Sequence, residues 1–231
     1  MANPVCVIAG VGPGIGLAVA RKFGAAGFSV ALLGRRQEKL TAYTTELAEE
    51  GIDTQEFVAD LSDSESIREA FDHIEAWNSR IEVLIYNAAD MTSDDATSLT
   101  AAAMMRSLQL TLGGAMTSIG CVLPGMLARR TGTILATSGG LAFDPYPQWT
   151  ALGAGKAALH NYIGALHKAV SPKGVKAGVV AVCGIVGPGG PFDPDRIAEK
   201  YWAMHRTGLS DWQYEEAYRP AEADPDYNAR S

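Results

Sequence analysis

The sequence predicts an α/β fold: one parallel sheet between two layers of helices. Three observations predict it. Short, β-branched apolar runs alternate with longer amphipathic segments. A glycine-rich turn, GVGPGIG, joins the first apolar run to the first helical segment. The 231 residues are 47% hydrophobic, enough for one large core, and no Pro/Gly/Ser-rich linker divides them. Strand–helix–strand repetition requires right-handed crossovers, which put helices on both faces of the sheet.

In chain order, Val5–Ala9 reads as the first strand and Ile15–Ala25 as the helix behind it. Ser29–Leu33 is the second strand and Gln37–Glu50 the second helix. Asp53–Val58 alternates polar and apolar residues, the period of a third strand. Ser64–Trp77 is helical, with Ser62 or Ser64 as its cap. Val83–Tyr86 is a fourth strand, and Leu99–Arg130 a long helical stretch with Pro124 near its end. Thr133–Thr137 is the fifth strand. In Thr150–Val170, Leu152, Leu159, Ile163, Leu166 and Val170 fall near one helical stripe. Lys176–Val182 is the sixth strand. Pro194–His205 and Asp211–Tyr218 read as helices, and no later β-branched run supplies a further strand. The expectation is a Rossmann-like, doubly wound parallel sheet in three α/β/α layers, with six strands. Arg219–Ser231, polar and punctuated by prolines, reads as a loose tail.

A net charge of −7 argues against nucleic acid or an anionic membrane as partner. No uninterrupted apolar run reaches ~20 residues, and MANPVCVIAG lacks the pattern of a signal peptide. Cys6, Cys121 and Cys183 are odd in number, far apart and without metal-ligand spacing, as expected of free thiols in a reducing compartment. A cytoplasmic protein is expected.

Ligands of such sheets bind at the carboxyl ends of the strands. There GVGPGIG supplies Gly10, Gly14 and Gly16, with Gly12 and Ile15 in the same turn. Glycines permit the tight turn, close approach of backbone to a pyrophosphate, and helix–strand packing, while the following helix points N–H groups at the phosphate. The second strand ends in LLGRRQEKL. An acidic residue at that end would hold the ribose diol of NAD. Gly34 followed by Arg35 and Arg36 instead favours the 2′-phosphate of NADP(H). Residues 1–218 are therefore expected to form a single dinucleotide-binding domain, with a tail over 219–231.

The glycine spacing resembles that of the short-chain dehydrogenase/reductase family. So do VADLSD, with Asp60 and Leu61 where the family contacts adenine, and YNAAD, where Asn87 and Ala88 match and Ala89 replaces glycine. GCVLPGM and GKAAL are similar as well. In CGIVGP, Gly184 and Val186 fit the family's loop after strand six, but Pro188 stands where a Thr is usual. The resemblance spans Val5 to about Phe192 and implies hydride transfer on a nicotinamide cofactor. It also implies that Lys156 holds the nicotinamide ribose.

The departures cluster at the chemistry. Leu152 occupies the position of the family's catalytic Tyr, four residues before Lys156. The Ser position falls on Gly139, with Ser138 beside it, and the helix-four Asn on Thr111. The candidate catalytic residues are thus Lys156 and Ser138. The candidate substrate pocket comprises Ser138, Gly139, Leu152 and Tyr146, and the resemblance implies a substrate lid around 188–218 that carries Tyr201, Trp202 and His205. General acid catalysis contributes roughly 10²–10⁴ in rate, so losing the phenol impairs ketone reduction most. An iminium or a strongly polarised alkene suffers less. ATSGG is not G-x-S-x-G, which argues against a serine hydrolase. His73, His160 and His167 read as ordinary helix residues. The favoured reading is an atypical NADP(H)-dependent oxidoreductase acting on a small molecule. The alternatives are a nucleotide-binding sensor or scaffold without turnover, and an isomerase or lyase on the same fold. The family's habit of pairing long helices implies a homodimer or homotetramer through Leu99–Arg130 and Thr150–Val170.

Overall fold

A computed structural model describes residues 3–223. Seven strands form its single sheet: β1 (Val5–Ala9), β2 (Ser29–Gly34), β3 (Thr54–Val58), β4 (Ile81–Tyr86), β5 (Thr133–Gly139), β6 (Lys176–Val182) and β7 (Glu215–Tyr218). Their order is β3-β2-β1-β4-β5-β6-β7, and every pair is parallel. The chain leaves β1 in one direction to β2 and β3, then returns to build β4 onward on the other side. Loops after β1 and β4 therefore diverge and leave a crevice between them.

The six expected strands are corrected to seven. EEAY, expected as helix, pairs with β6 from Val179↔Glu215 to Val182↔Tyr218. The segment has no β-branched residue, and of its side chains only Tyr218 is buried. As an edge strand it is held by one ladder, and its two carboxylates find partners on opposite faces: Glu215 lies 3.0 Å from His160 Nε2 and Glu216 3.0 Å from the Lys200 ammonium.

Helices α1 (Ile15–Ala25) and α7 (Pro194–Arg206) cover one face of the sheet. Helices α3 (Ser64–Trp77), α5 (Gly114–Arg129) and α6 (Thr150–Val170) cover the other, and α2 (Gln37–Glu49) flanks β2 and β3. Each face has its own apolar cluster. The inner strands between them are buried on both sides and therefore largely apolar, as in β1, whereas the edge strands β3 and β7 are not. Asp63, rather than Ser62 or Ser64, caps α3 by accepting from the Glu65 N–H.

The long stretch expected over Leu99–Arg130 is α4 (Ala101–Leu108) and α5 joined by a π turn, Gln109–Gly113. Taken together, Ala101–Arg129 is long and apolar enough to cross a membrane, with mean hydropathy 1.5 in its most apolar window and 39% of that window buried. Its inner edge, including Thr111, Ala115, Ile119 and Met126, packs into the core.

The lid expected over 188–218 is corrected. Helix α7 packs against α1 through Ile197, Ala198, Tyr201 and Met204, and β7 joins the sheet. An amphipathic helix with a facing apolar partner buries that stripe instead of covering a crevice. Of the expected tail, residues 219–223 are tied down: Arg219 lies over the Phe143 ring at 5.8 Å, and Arg196 pairs with Glu222 at 2.5 Å. Residues 224–231 lie outside the described residues.

Candidate functional site

A cleft of about 810 Å³ opens at the carboxyl ends of β1, β2, β4, β5 and β6. Its floor at one end is the glycine turn. Gly10 has φ +92°, and a Cβ there would stand 2.6 Å from the Ala88 amide nitrogen. Only glycine permits β1 to turn that close to the loop after β4. Gly16 is similarly crowded, 3.0 Å from the Val11 Cα, whereas nothing lies within 4 Å of the position a Gly12 Cβ would take. Among the described residues no side chain caps α1, and its amino end meets the cleft at Gly14 and Ile15. That end can hold a diphosphate.

Beyond the turn lie Gly34, Arg35, Arg36, Lys39, Leu40 and Tyr43. Among the described residues, no carboxylate forms an ion pair with Arg35, Arg36 or Lys39. Lys39 was missed in the sequence, although it lies in the first turn of α2, just after the Arg36 that precedes the helix. Ala59 and Leu61 also line this end. Asp60 does not: its carboxylate accepts from the Ser62 N–H at 2.9 Å and hydroxyl at 2.7 Å, which holds its pKa down. Its expected place in the cleft is corrected to a turn-forming one.

The other end is formed by Asn87, Ala88, Ala89, Ser138, Gly139, Leu152, Lys156, Gly184 and Val186. Lys156 is 6% exposed and donates from Nζ to the Thr137 carbonyl at 2.7 Å. Burial lowers its pKa to about 8, because the charged form loses water. Leu152 lies one turn earlier on α6 and is 4% exposed. Helix α6 comes close to the π turn because residue 155 is glycine. A Cβ there would be 3.1 Å from that of Thr111. The Thr111 and Ser138 hydroxyls are buried with no hydrogen-bond partner among the described residues. Ser138, on the cleft wall, can therefore accept or donate to a bound molecule.

The outer wall is apolar: Met91, Leu110, Leu141, Tyr146, Trp149 and Ile185. Met91 and Ile185 are 68% and 73% exposed. Asp94, in the loop after β4, accepts from the Thr150 and Ala151 N–H groups at 2.9 and 2.8 Å. It caps α6 from outside the helix, and no sequence-local signal marks it. Among the described residues, the cleft lining contains no Asp, Glu, His or Cys.

Tyr201, Trp202 and His205 do not line the cleft, which corrects their expected role. Trp202 and His205 pack on Phe23 of α1, with ring centroids 5.2 and 5.5 Å away. His205 Nδ1 is 3.0 Å from Thr133 Oγ1, at the first residue of β5 and hence at the opposite end of the sheet. Burial, with Lys176 and Arg206 beside it, pushes its pKa down to about 4 and leaves it neutral. Tyr201 is 0% exposed in the same layer.

Comparison with known proteins accords with this arrangement. The family description "short chain dehydrogenase" matches residues 4–189. Sulfoacetaldehyde reductase 2 of Chromohalobacter salexigens is 27% identical over 208 residues, 89% of this chain and 77% of that protein. The human inactive hydroxysteroid dehydrogenase-like protein 1 is 28% identical over 176 residues. That match covers 73% of this chain but only 52%, about half, of the human protein. A metagenomic short-chain oxidoreductase solved in complex with NADP superposes with a TM-score of 0.86 at 25% identity, covering 96% of this chain and 99% of its own. With the matched segment running through the glycine turn, the lysine helix and β6, the chain belongs to the short chain dehydrogenase family of oxidoreductases.

Proposed function

We propose that the protein is an NADP(H)-dependent oxidoreductase that transfers hydride to or from a small apolar molecule without a tyrosine acid beside its lysine. The observation that carries this reading is one cleft whose described lining holds Arg35, Arg36 and Lys39 without a carboxylate at one end, and a buried Lys156 with Leu152 one turn earlier on the same helix at the other. The open amino end of α1 and the crowding at Gly10 form a backbone cradle suited to a diphosphate. Arg35, Arg36 and Lys39 suit a further phosphate on the adenosine ribose. A bound nicotinamide supplies the hydride. Lys156 is suited to hold its ribose and Ser138 to orient the substrate, while Met91, Leu110, Leu141 and Trp149 exclude water. With an isobutyl group at Leu152, the protein offers no phenol there to quench a developing alkoxide. Acceptors that need little protonation, such as iminium ions and polarised alkenes, suit the site better than ketones.

Fluorescence titration with NADPH and NADH tests the cofactor reading. Tighter NADPH binding is expected, and no binding of either nucleotide would reject the reading. A panel of imines, enones and ketones, followed by NADPH oxidation, tests the chemistry. Turnover of imines or enones above ketones is expected. Leu152 also favours a second reading, a nucleotide-binding protein without turnover. Tight NADPH binding with no consumption across the panel selects it. A homodimer or homotetramer through the outer faces of α4, α5 and α6 belongs to either reading, and sedimentation measures it.

A further inference from the structure

The Asn87 carboxamide has a fixed orientation. Its Nδ2 donates to the Gly10 carbonyl at 3.0 Å, and its Oδ1 accepts from the Thr137 hydroxyl at 2.7 Å. A carboxamide oxygen cannot donate, so the single hydroxyl proton of Thr137 is spent on Asn87. The Tyr201 hydroxyl lies 2.6 Å from the same Thr137 oxygen. With that proton already committed, Tyr201 must be the donor. The result is a one-way chain, Tyr201 to Thr137 to Asn87, ending at the glycine turn.

Its setting makes the chain stiff. Tyr201 is fully buried between α7 and the sheet, and burial raises its pKa, so it keeps its proton. Asn87 reaches the cleft, and a methyl at Gly16 would stand 3.4 Å from its Nδ2. Thr137 also serves the other end of the site, since its backbone carbonyl receives the Lys156 ammonium from the opposite face of the sheet. A buried phenol that merely filled space would need no hydroxyl, and phenylalanine would cost less desolvation.

We propose that Tyr201 is a positioning residue for nucleotide binding, acting from outside the cleft through Thr137 to fix Asn87 and the glycine turn. The inference rests on the nucleotide-binding reading above. The test measures NADPH affinity for Tyr201→Phe well below its unfolding temperature, where a loss of stability alone leaves affinity unchanged. A five- to tenfold weaker Kd is expected, the size of one lost hydrogen bond. Thr137→Val should weaken binding similarly, and Thr137→Ser, which keeps the hydroxyl, should restore it. The double variant Tyr201→Phe with Asn87→Ala should bind no worse than Asn87→Ala alone, because both act in one chain. A Kd for Tyr201→Phe within twofold of native, or additive losses in the double variant, overturns the proposal. If Tyr201→Phe does not fold, the two Thr137 variants decide the same link by the same limits. If the native protein binds neither nucleotide, the cofactor reading fails by itself. The chain is then read by NMR hydrogen exchange at the Asn87 side-chain amide, where faster exchange in the variant supports it and unchanged exchange overturns it.

Discussion

Alanine at Gly10 and alanine at Gly12 each add one methyl group to the same turn, yet their surroundings give them opposite consequences. At Gly10 the backbone has φ +92°, and the new Cβ would meet the Ala88 nitrogen, Cα and Cβ at 2.6, 2.7 and 2.8 Å. Ala88 is the second residue after β4, next to Asn87, whose N–H donates to the Ala9 carbonyl at 2.8 Å, so it cannot easily withdraw. Left-handed backbone costs a non-glycine residue roughly 1–2 kcal/mol, and overpacking a tight site typically 1–3 kcal/mol. Gly10→Ala should therefore lower stability by about 2–5 kcal/mol. At Gly12 nothing lies within 4 Å, so the methyl meets no protein atom and enters the cleft. Stability should be unchanged or higher by up to about 1 kcal/mol, through a less flexible unfolded chain. NADPH affinity should fall at least tenfold, because the methyl occupies the place where phosphate approaches backbone. Urea unfolding followed by circular dichroism measures the first effect, and fluorescence titration the second. A native unfolding midpoint for Gly10→Ala refutes the steric reasoning. Native stability together with native affinity in Gly12→Ala refutes the assignment of that turn to phosphate.

Three further outcomes are expected. Lys156 has its folded pKa depressed from 10.5 to about 8, so between those values the unfolded chain binds more protons and stability rises with pH. Below about pH 8 both states carry the charge and the burial penalty is fully present. Lys156→Met should abolish a rise of up to about 3 kcal/mol between pH 7.5 and 10.5, read as the difference in urea midpoints between the two proteins. Leu152→Tyr should raise NADPH-dependent ketone reduction by about 10² or more, measured as initial rates. No gain would show that residue 152 does not face the reacting carbonyl. Replacing Arg35 and Arg36 together with Ala should weaken NADPH at least tenfold and leave NADH within about twofold, as separate titrations would show.

The glycine turn and the first six strands were legible in the sequence because their signals are local. A buried parallel strand is a short apolar run, and a turn that must approach another backbone spells glycine at fixed spacing. The seventh strand was illegible for the converse reason. Glu215 and Glu216 carry no strand signal, since an edge strand takes its structure from the neighbour it pairs with. The aromatic segment around Tyr201 was recognisable as a helix, but its destination was not. Ile197, Tyr201 and Met204 form a stripe that fits a lid and a core equally well, and only the facing stripe on α1 decides between them. Asp60 looked like a ligand residue, yet Ser62 two positions later already suggested the local turn that holds it. The chain from Tyr201 to Asn87 joins residues far apart in sequence and leaves no spacing to detect.

The contact between Asp94 and the start of α6 has a bearing on how this protein can diversify. Asp94 belongs to the loop that carries Met91 at the cleft mouth, yet it closes the first turn of the helix that carries Leu152 and Lys156. On the proposed function, selectivity and chemistry share a hinge pin. Swapping that loop to admit a new substrate would also fray the base on which the lysine stands. The Ile185 side of the mouth, 73% exposed at that residue, makes no such hydrogen bond to α6 among the described residues and is the better place to engineer for new substrates.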